Sequence, residues 1–297
     1  MNRPAFFASL AYGNALVYRL QRICVVSRSL HTFTLKSELP GLNRIVSIAK
    51  NTFREAVRDR VLYNLVLFVL LIIACAILLG DLTDGHEGRT IVNIGLNAML
   101  MFGAFIAIFV GVGLVSKEIE KRTVFAIFAK PVTRGEFIIG KYLGLCLTLA
   151  VNVAVMGVGV SLALIYVGSS RFAATIWASI LLIFFELTIL TAVATLFSSF
   201  SSPALSALLT FFVFLIGHFS TSLRDLAEGL ASQSARYFFD AIYYLLPNLS
   251  HFTFVTNAAH GDVPPAAMLT GSIMYAIVFD AVLIAAATLV FSRRNFK

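Results

Sequence analysis

Charge is scarce in this chain. Only 13% of its 297 residues are Asp, Glu, Lys or Arg, about half the share in an ordinary soluble domain, while 59% are hydrophobic. Disorder is excluded by that composition, and a water-solvated surface is disfavoured by it. Cysteine is equally sparse: Cys24, Cys75 and Cys146 are odd in number and far apart. They provide neither a disulfide framework nor a Cys-Xaa-Xaa-Cys metal site, and they read as small apolar side chains. Catalytic signatures are missing as well, with no His-Glu-Xaa-Xaa-His, Gly-Xaa-Ser-Xaa-Gly or Gly-Xaa-Gly-Xaa-Xaa-Gly anywhere.

Long apolar runs dominate what is present. Six stretches, 61–79, 91–115, 138–168, 173–197, 204–220 and 266–291, are 17 residues or longer and nearly free of charge. At about 1.5 Å per residue, the shortest of them approach the roughly 30 Å of a hydrocarbon core. The expected fold is therefore an all-α membrane protein with six transmembrane helices. Orientation follows from the basic residues, because Lys- and Arg-rich loops stay in the cytoplasm. Of the 23 Lys and Arg, only Arg89, Arg171, Arg224 and Arg236 fall in the alternate loops. Both termini are thus expected inside, in a cell inner membrane. The net charge of +8 is this asymmetry facing anionic lipid, not a nucleic-acid footprint.

Ahead of the first run, Leu42, Ile45, Val46, Ala49, Phe53, Ala56 and Val57 recur at helical spacing within 42–60, with Arg44, Lys50, Arg54, Arg58 and Arg60 on the other faces. That pattern predicts an amphipathic interfacial helix whose apolar stripe lies in lipid. Residues 1–41 have no acid before Glu38 and no compact apolar signal segment, so a weakly ordered extension is expected, with a transit peptide as the alternative.

Gly135-Glu136-Phe137-Ile138-Ile139-Gly140-Lys141 has Walker A spacing, but Tyr142 stands where a magnesium-binding Ser or Thr belongs, and the run leads into an apolar span. No nucleotide or other cofactor is expected on this chain. His251, His260 and Asp262 share one loop, yet their spacing fits no usual ligand set, so no metal site is expected there. Within 116–141, charges at Lys117, Glu118, Glu120, Lys121 and Arg122 precede a Val124, Ile127, Phe128 stripe ended by Pro131. A short amphipathic helix between two spans is expected, serving as a positive-inside anchor or as a docking element.

Glu118-Ile119-Glu120-Lys121-Arg122-Thr123, followed by Lys130-Pro131-Val132-Thr133-Arg134-Gly135-Glu136-Phe137 and Gly140-Lys141, resembles the cytoplasmic signature of ABC-2 type permease subunits. Phe53-Arg54-Glu55-Ala56 is similar to that family's entry helix. Phe197-Ser198-Ser199-Phe200-Ser201-Ser202 is similar to its tight inner turn, and Leu246-Pro247-Asn248 to its last outer loop. One departure is Arg122, where many members carry Gly. The resemblance covers about residues 42–297. It implies a non-catalytic permease subunit of an exporter, paired with a second permease copy or paralogue and driven by separate ABC ATPase subunits that bind the ATP and magnesium. It further implies a coupling helix, whose candidate partner-facing residues are Glu118, Glu120, Arg122, Thr123, Val124, Ile127, Phe128, Pro131 and Arg134.

Glu186 and Asp280 lie near the centres of apolar runs. Intramembrane carboxyls cost about 2.5–3.5 kcal/mol or more, so each should face a partner or a pathway. Thr188, Thr191 and Asn152 are candidate partners. A proton-coupled secondary transporter using both carboxyls is one alternative, although no inverted repeat is evident. A membrane-embedded enzyme is another, without a visible nucleophile or metal set. Residues 221–265 are too apolar for a plain loop: Leu223, Leu226, Ala227 and Leu230 form one stripe, and Tyr237, Phe238, Ala241, Ile242 and Leu245 another. Two short re-entrant helices are expected between spans five and six.

Overall fold

The computed structural model describes residues 40–58, 86–120 (side chains to 113), 133–220 and 246–293, together with positions 67, 68, 71, 72, 74, 75, 78, 237, 241 and 243. Expectations for 1–39, for most of 61–79, for 121–132 and for the 223–230 stripe lie outside the described residues. Helix is the dominant structure, and no strand occurs among the described residues. The chain separates into units 1–44 and 45–297; of the first, only the opening turn of α1 is described.

The elements in order are α1 (Pro40–Arg58), α2 (Glu87–Glu120), α3 (Arg134–Tyr166), α4 (Ser170–Ser198), α5 (Pro203–His218), a 3-10 turn (Leu249–Phe252), α6 (Val255–Ala259) and α7 (Ala266–Arg293). Four of them, α2, α3, α4 and α7, are long and apolar enough to cross a membrane. They match the expected runs 91–115, 138–168, 173–197 and 266–291, overrunning them where charged or polar end residues stay helical. The fifth run ends early: α5 has 16 residues and stops at His218, with Phe219 in a turn. At about 24 Å it is shorter than a hydrocarbon core.

Helix α4 is the hub, packed against α2, α3, α5 and α7. Several of its hydroxyls bond within the helix, Thr191 Oγ1 donating to the Leu187 carbonyl and Thr195 Oγ1 to the Thr191 carbonyl, each at 2.8 Å, whereas the buried Ser179 Oγ makes no hydrogen bond. Helix α3 instead turns one face outward. Leu143, Leu147, Val151, Val155, Val158, Leu162 and Ile165 recur one turn apart and are all exposed, as suits a surface whose solvent is lipid. Within the apolar run 61–79, Phe68 and Ile72 are buried and Phe68 meets the Phe102 ring edge-on at 5.7 Å, whereas Leu67, Leu71 and Leu78 are exposed.

The connections follow from local chemistry. Between α3 and α4, Gly168 takes φ +80°, a left-handed conformation that glycine adopts without steric penalty, and Ser169 N–H bonds back to the Leu164 carbonyl at 2.8 Å. Between α4 and α5, serines close the turn. Ser199 Oγ and Ser201 Oγ donate to the Leu196 and Phe197 carbonyls, Ser201 and Ser206 share a 2.6 Å hydroxyl contact, and Pro203 opens α5. This turn, the start of α3 and the finish of α7 share one end of the bundle, hereafter the turn end. The 3-10 turn, α6 and the start of α7 mark the far end.

Two expectations change at the turn end. Glu118 and Glu120 continue α2 instead of opening a separate helix, because the helix runs unbroken to Glu120. The stripe expected of α1 also rotates: Leu42 and Val46 are exposed, while Ile45, Ile48, Ala49, Thr52 and Ala56 lie against α3. Gly140 and Gly144 are the reason. A Cβ at Gly140 would stand 2.8 Å from Ile48 Cβ, and one at Gly144 would stand 2.6 Å from the Ala49 carbonyl oxygen and from Thr52 Cβ. Part of the face expected to meet lipid therefore meets protein.

Candidate functional site

Glu186 sits on α4 about 18 Å from that helix's turn end, and His218 on α5 at about 22 Å, so antiparallel packing brings them to similar depth. Glu186 is 2% exposed, and its Oε1 lies 3.5 Å from His218 Nδ1. The imidazole is flanked by the Phe214 and Phe219 rings, with centroids at 5.9 and 6.1 Å. Apolar walls weaken solvation of both groups, which makes the pairing the main compensation for their burial.

Asp280 on α7 lies about 20 Å from the turn end. Its carboxyl faces the Tyr142 phenol and the Thr188 hydroxyl, and Cys146 adjoins the phenol. Even so, Oδ1 has no hydrogen bond of good geometry. Thr188 is two residues beyond Glu186, on the order of 200° around α4. The two carboxyls consequently occupy separate sites, one toward α5 and one between α3 and α7. Of the expected partners, Thr188 approaches Asp280; Thr191 bonds within its own helix, as does Asn152, whose amide donates to the Thr148 carbonyl at 2.9 Å. His218 was not singled out from the sequence, and only helix pairing reveals it.

At the turn end, α3 begins with a capping box. The Glu136 N–H donates to Thr133 Oγ1 at 3.2 Å, and the Thr133 N–H to Glu136 Oε2 at 2.8 Å. Of the residues proposed for coupling, Arg122, Thr123, Val124, Ile127, Phe128 and Pro131 lie outside the described residues, and Glu118 and Glu120 are described by backbone alone. Arg134 is placed fully: its Nη1 donates to the Phe291 and Ser292 carbonyls at 3.3 and 2.8 Å, capping the C-terminus of α7. A cation there also meets the negative end of the helix dipole. The Walker-like run 135–141 forms the opening turns of α3, where Phe137 N–H already bonds the Thr133 carbonyl. Lys141 is buried among protein, 3.5 Å from Glu55 of α1 and 5.8 Å from the centroid of the Phe137 ring.

The far end holds a polar knot centred on Asn248. Its Oδ1 accepts from Ser220 Oγ at 2.6 Å and from the Ser250 N–H at 3.2 Å; its Nδ2 donates to the Tyr243 hydroxyl at 3.1 Å, and its backbone N–H to the Tyr275 hydroxyl at 2.9 Å. A Cβ at Gly217 would stand 2.7 Å from the Pro247 carbonyl oxygen, so glycine lets the Leu246-Pro247-Asn248 segment press onto α5. His251 lies edge-on to the Tyr275 ring at 5.8 Å. Among the described residues, no three or more His, Cys, Asp and Glu side chains gather into a group that could hold a metal.

A helical bundle with four helices long and apolar enough to cross a membrane and with carboxyls enclosed at mid-depth has the make-up of a membrane component. Comparison with family models agrees: the ABC-2 family transporter protein model matches residues 46–296. The chain belongs to that family, and it is a multi-pass transport component of the ABC-2 permease type. No curated protein matches it.

Proposed function

We propose that this chain is the permease subunit of an ATP-driven exporter, with six spans, both termini cytoplasmic and the turn end facing the cytoplasm. Spans one and five complete the set, from residues 61–79 and from the short α5. Separate ABC ATPase subunits bind ATP and magnesium and dock on the 116–134 stretch. A second permease copy or paralogue completes the pathway in the cell inner membrane. Residues 42–60 serve as the interfacial entry helix, 1–41 as an extension and 61–297 as the transmembrane domain. Family membership does not favour the proton-driven or enzymatic alternatives.

The observation carrying this reading is the placement of charge. The last turn of α2, the segment that follows it and the first residue of α3 together contain Lys117, Glu118, Glu120, Lys121, Arg122, Lys130 and Arg134, and α3 begins at the one end where α1, α3 and α7 meet. A loop that only anchored the chain would need the basic residues and not the acids. Topology is tested by cysteine labelling in intact cells. A cysteine introduced at position 119 or 295 should be protected from an impermeant maleimide and react once the membrane is opened. Labelling from outside would reverse the orientation.

A further inference from the structure

We propose that Lys141 and Arg134 are positioning residues that join the turn ends of α1, α3 and α7 into one body, so that force entering α3 from residues 121–132 displaces all three helices together. This rests on the ATPase-driven reading above.

Lys141 is about two turns into α3, near the depth at which a lysine would ordinarily extend its ammonium into water. It does not: the side chain is 3% exposed and reaches Glu55 on α1 at 3.5 Å. Gly140 and Gly144 bring α1 close enough for that reach, since a Cβ at either would collide with Ile48, Thr52 or the Ala49 carbonyl. An apolar pair would hold two helices together at least as well as a buried ion pair. What the pair adds is register, because sliding α1 along α3 pulls the half-exposed Glu55 carboxylate away from an ammonium that is itself enclosed.

The same turns of α3 hold α7. Phe137 stacks on Phe291 with centroids 6.0 Å apart, and Arg134 donates to two carbonyls at the last turn of α7. Arg134 also stands immediately after the Thr133 cap, at the point where the 121–132 segment feeds into α3. One helical stretch, Arg134 to Gly144, therefore grips α1 on one side and α7 on another. Because α7 carries Asp280 beside Tyr142 of α3, motion of this body would carry that buried carboxyl with it.

The test uses the full chain purified with its ATPase, in a background with Cys24, Cys75 and Cys146 replaced. Spin labels at Lys50 of α1 and Tyr166 at the other end of α3, and in a second sample at Lys50 and Met274 of α7, report distances with and without vanadate-trapped nucleotide. Both distances should be the same in the two states. Lys141→Met should broaden the first, Arg134→Gln the second, and each should lower ATP turnover of the assembled complex by at least about fivefold, the lower end of usual coupling strengths. Glu55→Lys combined with Lys141→Glu should restore the narrow distribution, which a residue needed only for folding would not do. A wild-type change of either distance by a helical turn, about 5 Å, would overturn the proposal. So would wild-type widths and turnover in both single variants. Failure of any ATPase to co-purify would instead refute the functional reading, and the label distances in the permease alone would still decide whether the three helices are joined.

Discussion

Glu186 and His218 show what a buried charge demands of its surroundings. With Glu186 almost wholly enclosed and the imidazole 3.5 Å away, removal of either partner leaves the other without compensation. Glu186→Lys sets an ammonium against the imidazole and should destabilise by about 3–5 kcal/mol. Glu186→Gln removes the charge but keeps a polar amide of the same shape beside the imidazole, and should cost about 1 kcal/mol. Thermal unfolding in detergent separates the two, and equal losses would mean that the pair is not what stabilises this position. Asn248 allows a second residue-level comparison. Asn248→Ala strands the Ser220, Ser250 and Tyr243 groups, with about 1–3 kcal/mol expected for each one that water does not reach. Asn248→Asp keeps the acceptor for Ser220 and Ser250 and loses only the donor to Tyr243, so it should unfold above the alanine variant. Neither network could be read from sequence in full. Glu186 stood out because a carboxyl in an apolar run is rare, but its partner lies 32 residues away on another helix. Nothing in the local pattern distinguishes His218 from a histidine at a membrane surface.

Among elements, four of the six long apolar runs were legible as membrane-length helices because their length is set by bilayer thickness. The helix ends were not, since Glu87, Ser116 to Glu120 and Arg134 remain helical beyond the apolar stretch. The placement of α1 shows a subtler limit. Its spacing correctly signals an amphipathic helix, but which part of the apolar face meets lipid depends on Gly140 and Gly144, some 90 residues further along. Lys141 was legible only in part for a related reason: Tyr142 already argued against a phosphate-binding lysine beside Gly135 and Gly140, but only the fold reveals Glu55 as its partner. Gly144→Leu tests the seat of α1 directly. With the Ala49 carbonyl in the way, the backbones must separate, at a cost of about 1–3 kcal/mol. Trypsin should then cut at the exposed Arg54 faster than in the wild type. Unchanged cleavage and unchanged unfolding would show that α1 is not held at that groove.

For the whole molecule, the proposed function joins a bundle organised on α4 to the charged 116–134 segment at one end. The ABC-2 family match covers both. The central claim is that ATP is used elsewhere and that the 116–134 stretch receives the resulting force. The most direct measurement purifies the tagged chain from its native membrane and labels the preparation with a photoreactive ATP analogue while ATP turnover is recorded. The label and the hydrolysis should reside in a co-purifying subunit. Both should be lost when Glu118 and Glu120 are changed together to Lys, with the permease still folded and inserted. Specific labelling of this chain that disappears with Lys141→Ala would contradict the account, as would wild-type assembly and turnover in the charge-reversed variant.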